Sequence, residues 1–362
     1  MSIRKVILSA SALAIAFASC TKNEMPGTDG RQIAFQTASY ATRVGIEGTV
    51  FPTSESFGVY AWAEGTIGDY FMDNERISYN SVDGVWRPST TYYWPKNTTI
   101  DFEGFYPYGL SGVKVAADKI TYSGYDVEAG QQDVMYSSKS VGYGDNPDGS
   151  GQGIDGSNGV PIIFHHALSK VTVMAQLAFD RMEEEDGTVY EWELVVNKAT
   201  IHDFYKKGGA EFTLASEPSV GIVEWNKPLD LDSNRVWTND GALTSMSASD
   251  PVTIKTEEAS VIIPEFFTLP QALDSLGHRQ TVSVEFTLKT KRNGVEFLSE
   301  NLTKSARLYL EEIPAWEINH KIIYTLLFSP VELGPGGRPS VITFDPAVDD
   351  WEVINASTVI NV

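Results

Sequence analysis

Cys20 is the only cysteine in the 362-residue chain, so thiol chemistry has a single address. One thiol cannot close an intramolecular disulfide or supply a thiolate metal cage. Arg4 and Lys5 open the chain with positive charge, residues 6–17 are almost wholly apolar, and Ala18-Ser19-Cys20 follows. Charge, apolar run and small residues in that order read as a secretion signal over 1–19, too short for a bilayer-spanning helix. The five histidines are His165, His166, His202, His278 and His320. Only His165 and His166 are close, and neighbours on a strand point to opposite faces, a poor geometry for one metal. One buried and one exposed histidine is the plainer expectation. Gly151–Gly156 matches G-x-G-x-x-G, but it follows a polar loop and opens no helix, so the context for holding phosphate is missing. The acidic stretch Asp145–Asp155 lacks the spacing of a helix–loop–helix calcium site and reads as a solvated loop. No G-x-S-x-G or Walker A sequence occurs. The 48 acidic residues permit many carboxylate pairs for glycoside hydrolysis, and nothing selects one. The chain is therefore read as a non-enzyme with no cofactor and no metal.

Phe17-Ala18-Ser19-Cys20 resembles a bacterial lipobox. That resemblance implies cleavage before Cys20, a diacylglycerol on its thiol, and a lipid tether to the cell outer membrane. The plainer alternative is an ordinary signal with an incidental cysteine. The formal net charge is -21, and losing Arg4 and Lys5 with the signal makes the chain more acidic still. No Lys/Arg stripe offers phosphate contacts, so nucleic acid is excluded as a partner.

The elements that must carry any site are short apolar or alternating runs between Gly, Pro, Asn and Asp. Ile33–Thr37, Phe57–Trp62, Ile100–Phe105, Val171–Val173, Val261–Ile263, Val282–Leu288 and Ile322–Leu327 all read as strands. Only Asp180–Asp186 looks briefly helix-prone, and it lacks an apolar stripe. Many short strands with Gly/Pro turns predict an all-β sandwich protein. Residues 20–31 are polar with Pro and Gly and read as a tether. The Gly-, Asp-, Asn- and Ser-rich stretch 146–159 reads as a linker or a long loop. The linker reading divides the chain into an N-terminal domain over 32–145 and a C-terminal domain over 160–362. Trp86, Tyr92, Tyr93, Trp94, Phe102, Phe105, Tyr106 and Tyr108 form an aromatic cluster. A sugar-stacking platform is one reading; a hydrophobic core with an aromatic rim is the favoured one.

Several segments in order resemble the fimbrillin family of Bacteroidota, the subunits and accessory proteins of type V pili. After the lipobox and Thr42-Arg43 come Phe57-Gly58-Val59-Tyr60-Ala61-Trp62 and Tyr92-Tyr93-Trp94-Pro95 with Ile100-Asp101-Phe102 and Phe105-Tyr106-Pro107. Phe164-His165-His166-Ala167-Leu168-Ser169-Lys170-Val171, Leu269-Pro270-Gln271, Trp316-Glu317-Ile318-Asn319 and Val348-Asp349-Asp350-Trp351 complete the series. The resemblance implies two transthyretin-like β-sandwich domains in tandem, export as a surface lipoprotein and a role in fimbriae. Its implied partners are other fimbrial subunits, the outer membrane through lipid, and a host protein or glycan.

Both ends of the chain can be read physically. Ile33, Phe35, Thr37, Ser39 and Ala41 alternate, so a first strand can lay one face on the N-terminal domain. In the family an arginine-specific protease cuts after an arginine placed like Arg43, removing that strand and leaving an unpaired edge that seeks another. Past Trp351, residues 352–362 place Ile354, Ala356, Thr358, Ile360 and Val362 on one face. Strand addition takes affinity from main-chain hydrogen bonds and specificity from alternating side-chain pockets. The tail is a candidate donor strand; its alternative is the chain's own last strand. Arg43 is the candidate processing site against an ordinary exposed arginine. The leading reading is a fimbrial subunit joined by strand exchange; the alternative is a tip or accessory adhesin that binds host protein or glycan without polymerising.

Overall fold

The computed structural model describes residues 28–37, 51–63, 70–82, 84–95, 98–116, 119–126, 131–144, 152–153, 159–205, 207–213, 215–216, 222–226, 237–238, 250–273, 280–329 and 341–349. Cys20, Arg43, His278 and the tail 352–362 lie outside the described residues. Every regular element among those described is a strand, and none is a helix. The chain is all-β.

Two hydrophobic cores organise the strands. The first gathers Ile33, Phe35, Phe57, Ile77, Trp86, Trp94, Phe102 and Ile162 under a ten-stranded sheet. That sheet runs from Gln152–Gly153 and Ser140–Gly144 through Ile100–Tyr106, Ser56–Ala63, Met72–Asn80 and Val85–Pro88 to Phe35–Thr37 and Val160–Ile162, with Met135–Ser137 and Phe164–His166 joined beside Ile100–Tyr106. The second core lies between two sheets. In one, Ser169–Leu177 is flanked by Ser260–Thr268 and, in parallel, by Lys321–Ser329. In the other, Val189–His202, Thr281–Arg292 and Val295–Arg307 form an antiparallel ladder.

The period-2 runs pack as alternation dictates. Val282, Val284, Phe286 and Leu288 point into the second core, as do Ile322, Tyr324, Leu326 and Phe328. Phe286 and Phe328 meet edge to face at 5.2 Å across the two sheets. The seven expected strands all recur in strands, except that Ile33 and Ala34 precede the ladder of Phe35–Thr37. Asp180–Asp186 is the exception to local propensity. Arg181–Glu183 is a strand paired with Val189–Glu191. The turn there is closed by Gly187 at φ +83° and by Asp186 Oδ1 accepting the Thr188 N–H at 2.8 Å. An Asx turn and a left-handed glycine set a hairpin where charge content alone favoured a helix.

Two expected segments fall differently along the chain. The last four residues of the expected tether, 28–31, lie with Gln32 in a strand, Thr28–Gln32, paired with Tyr93–Pro95. Around the expected linker 146–159 the ladders cross in both directions. Val160–Ile162 and Phe164–His166 pair back to Phe35–Thr37 and Met135–Ser137, while Lys119–Asp126 pairs forward with Lys207–Thr213. Gln152–Gly153 is itself a short strand beside Tyr143–Gly144.

Two of the motifs read from sequence hold the second core by hydrogen bonds. The Trp316 indole N–H donates to the Tyr324 hydroxyl at 2.9 Å, with both residues fully buried. Burial pushes the Tyr324 phenol up, keeping it a neutral partner. The buried Gln271 side chain serves the main chain of Tyr205 on both sides, accepting from its N–H at 2.8 Å and donating to its carbonyl at 3.1 Å. Gln271→Ala removes both bonds to the half-buried Tyr205 backbone, an expected loss of about 1–3 kcal/mol. Urea unfolding of the two proteins side by side measures it, and an unchanged midpoint would contradict this role.

Candidate functional site

The segment Ile33–Thr37 enters the N-terminal sheet as an inner strand. Phe35–Thr37 pairs in parallel with Val160–Ile162 in three steps and touches Val85–Pro88 through Phe35 opposite Trp86. Among the described residues, Val160–Ile162 has a backbone ladder with no other strand. The Ile33 N–H donates to the Tyr92 carbonyl at 2.8 Å, and the Val160 N–H donates to the Ala34 carbonyl at 2.8 Å. The segment therefore bonds to the protein along both sides.

Its side chains alternate in depth. Ile33 and Phe35 are buried, at 1% and 0% exposure, whereas Gln36 and Thr37 are half-buried. The Phe35 ring stands edge-on to Phe102 at 5.4 Å. Two large apolar anchors at this depth contribute about 1.5–3 kcal/mol each. Around them Phe51 meets Phe57, Trp86 and Tyr106 edge to face at 5.3–5.4 Å and stacks on Phe164 at 5.1 Å. Gly159 admits the segment closely: at φ +77°, a Cβ there would fall 2.6 Å from the Ala34 carbonyl oxygen.

Glu75 braces the same wall. Its carboxylate accepts the Ser89 hydroxyl at 2.6 Å, the Thr90 N–H at 2.8 Å and the Tyr92 hydroxyl at 3.1 Å. Burial raises its proton affinity, but these donors outweigh that and hold the carboxyl below its ordinary range. Burial, with the adjacent Glu75, pushes the Tyr92 phenol up to about 12. Tyr92 thus stays a donor to Glu75 while its carbonyl holds Ile33.

A second polar group sits where the cores join. Lys139 Nζ lies 3.5 Å from Asp101 Oδ2, 3.9 Å from Oε1 of the fully buried Glu103 and 5.8 Å from the Trp62 ring centre. The Lys139 N–H donates to the Ala215 carbonyl at 2.9 Å, and the Tyr70 hydroxyl donates to the Val115 carbonyl at 2.7 Å. Phe105, from a strand of the first sheet, packs against Phe212 at 5.4 Å in the second core. The group ties the two cores together. Composition could not reveal it, because its members become neighbours only through the sheet order.

The remaining candidates are dispersed. His165 Nε2 meets Ser138 Oγ at 2.8 Å and is half-buried, while the buried His166 pairs with Asp133. His202 bonds Ser283 and His320 bonds the Ile318 carbonyl. Among the described residues, no three His, Cys, Asp or Glu side chains converge as a metal site. Of the aromatic cluster, Trp86, Trp94, Phe102, Phe105 and Tyr106 are buried, and only Tyr93 and Tyr108 reach 40% exposure. A cavity of about 290 Å³ is lined by Asp180, Arg181, Glu191, Trp192, Glu193 and Lys291, so its carboxylates alternate with cations.

The fold and its inserted segment define an all-β protein whose first sheet is completed by a strand from near the start of the chain. The chain belongs to the fimbrillin-like family, which it matches over residues 42–351. A fimbrial protein from Bacteroides vulgatus is similar in structure, with 14% identity and a TM-score of 0.56, covering 89% of this chain and 100% of that one. A candidate cell adhesion protein from Parabacteroides distasonis overlaps 88% of this chain and 96% of its own at 13% identity and a TM-score of 0.49. Among curated proteins no sequence matches the chain.

Two measurements test the seat. Phe35→Ala is expected to cost about 3–5 kcal/mol and to speed amide hydrogen exchange at Ile33 and Val160 before it does so in the second core. Uniform acceleration across both cores would contradict a local seat. Because Glu75 has its folded value lowered, its contribution is present above the ordinary carboxylate range, about pH 4, and is lost as pH falls through the folded value. Glu75→Gln should therefore lower stability at pH 7 and flatten the acid limb of a stability–pH profile; parallel profiles would remove Glu75 from this role.

Proposed function

We propose that this chain is a structural subunit of cell-surface fimbriae, exported as a lipoprotein through Cys20 and polymerised by donor-strand exchange. The observation that carries the reading is the inner position of Ile33–Thr37. Cutting at Arg43 would separate this segment, and the lipid on Cys20, from the body of the protein. The loss would strip the ladder from Val160–Ile162 and open the seats of Ile33 and Phe35, an edge that is unstable until another strand fills it.

The tail 352–362 supplies the complementary half of the reading. Ile354, Ala356, Thr358, Ile360 and Val362 repeat the two-residue spacing of Ile33 and Phe35, so one face of a donor can fill seats of that period. The family match also runs from residue 42 to residue 351, which leaves Ile33–Thr37 and the tail outside it. Other subunits of the same fimbria are the partners, with adhesion to a host protein or glycan as the task of the assembled fibre. The role is structural and uses no catalytic residue.

The test is direct. Trimming with an arginine-specific protease should yield a new start at Val44 and a ladder of polymers on a gel. Deleting 352–362 should then leave the trimmed protein monomeric. Polymers that persist without the tail would sink the donor assignment, and clean trimming at Arg43 without polymers would sink the exchange itself.

A further inference from the structure

The sheet edges of this protein are not alike. Val160–Ile162 contains Pro161, Ser260–Thr268 contains Pro264, and Val341–Asp349 contains Pro346. Proline removes a ladder donor and blunts an edge against further pairing. The other described edges, such as Gln152–Gly153, Arg181–Glu183, Val113–Ala116 and Ile222–Asn226, are two to five residues long. Val295–Arg307 differs from all of them: it is 13 residues long, contains no proline, and pairs with Thr281–Arg292 alone among the described strands. Its one irregularity lies at Phe297, beyond which Leu298–Arg307 continues in unbroken register.

The residues along this edge are complementary to themselves. Leu298, Glu300, Leu302, Lys304 and Ala306 are half-buried on the core-facing side, and Ser299, Asn301, Thr303 and Ser305 are exposed on the other. Turned antiparallel upon a second copy with Leu302 at the two-fold axis, the strand sets Glu300 opposite Lys304 twice, Leu302 opposite Leu302, and Leu298 opposite Ala306. On the outer side Ser299 meets Ser305 and Asn301 meets Thr303. A hydrogen-bonded polar row, Asn197 to Thr287 at 2.9 Å and Thr287 to Asn301 at 2.8 Å, ends at this edge and would continue into Thr303 of the second copy. Opposite charges and apolar pairs placed directly across from one another favour a pairing, and like charges oppose it. Glu296, Glu300, Lys304 and Arg307 also leave the strand locally neutral in a chain of formal charge -21, so its own residues add no net repulsion between copies.

We propose that Leu298–Ala306 is an isologous docking edge whose occupant is the same strand of a second copy, joining two sheets side by side. The contact is separate from the seat of Ile33–Thr37 and needs neither cleavage at Arg43 nor the tail. Inward-pointing charges can also serve to keep an edge single; that role predicts a monomer and is an outcome of the test.

The full chain carrying Cys20→Ser, which removes its one thiol, is the protein to measure. Sedimentation equilibrium across the micromolar range should show a monomer–dimer equilibrium. Lys304→Glu should raise the dissociation constant by about tenfold or more, and Glu300→Lys with Lys304→Glu should restore it, since the swap re-forms both pairs. Adding Leu302→Cys should give a disulfide dimer under mild oxidation, whereas Ser299→Cys, which faces Ser305, should not. Removing 352–362 should leave the association unchanged. A monomer at every concentration, a double swap no better than Lys304→Glu, equal cross-linking at both positions, or loss of the dimer with the tail would each overturn the proposal. Far-ultraviolet circular dichroism on each variant separates loss of pairing from loss of fold.

Discussion

The seating of Phe35 in the first core is the contact on which the N-terminal sheet depends. Its strand joins Val85–Pro88 to Val160–Ile162, two strands that are linked in the sheet order through it. The backbone part of this junction is small: one paired position on one side, three on the other. The side-chain part is large, because Ile33 and Phe35 are wholly enclosed. A junction of this kind draws its free energy mainly from buried apolar area and its register from hydrogen bonds. The two seats lie two residues apart, the period of one strand face.

The rest of the molecule keeps that junction rigid. The strands Ser56–Ala63 and Ile100–Tyr106 are buried on both faces, a pattern expected for central strands covered on two sides. One face carries Phe57, Val59 and Phe102 into the first core; the other carries Tyr60, Trp62, Glu103 and Phe105 toward the seam. Burial, with Asp73 and Tyr70 nearby, pushes the Tyr60 phenol up to about 12 and keeps it uncharged there. Lys139 offsets the buried Glu103 at the same seam, since a buried carboxylate without a cation would be costly. The seam therefore stiffens the wall on which Phe35 sits, and the ladders that cross between the two halves of the chain do the same.

Much of this was legible from residue order, for a physical reason. Alternation in Val282–Leu288 or Ile322–Leu327 is a local property, and a half-buried strand answers to it directly. The inward placement of Ile33 and Phe35 followed from the same rule. The motifs Leu269-Pro270-Gln271 and Trp316-Glu317-Ile318-Asn319 were visible as strings, but their work was not. Gln271 serves Tyr205, which lies 66 residues away, and Trp316 serves Tyr324 only because a turn brings them together. Lys139, Asp101 and Glu103 gave no signal at all, because an ion pair across strands depends on sheet order. The hairpin at Arg181–Glu183 is not legible from composition, because its turn chemistry outranks the helix preference of Glu and Met. The organisation around 146–159 was hard to read because Gly-rich composition marks a turn or loop without saying which sheet the chain joins next.

Edges separate what this protein holds closed from what it leaves open. A β-protein with many strands has many places where another chain could add, and most of these are closed by proline or kept too short to pair well. The seat of Ile33–Thr37 belongs to a different category, since it is filled from within the same chain. Filling an edge with the chain's own strand satisfies its backbone groups and covers its apolar seats within one copy. The strand Val295–Arg307 has no such internal occupant among the described residues, and its inward charges of opposite sign make it selective instead of inert. Neighbours that mismatch Glu300 and Lys304 are repelled; a neighbour that matches them is another copy of the same strand. The two edges therefore differ in kind: the first is closed by a segment of its own chain, and the second is open to a matching copy whether or not the first is filled.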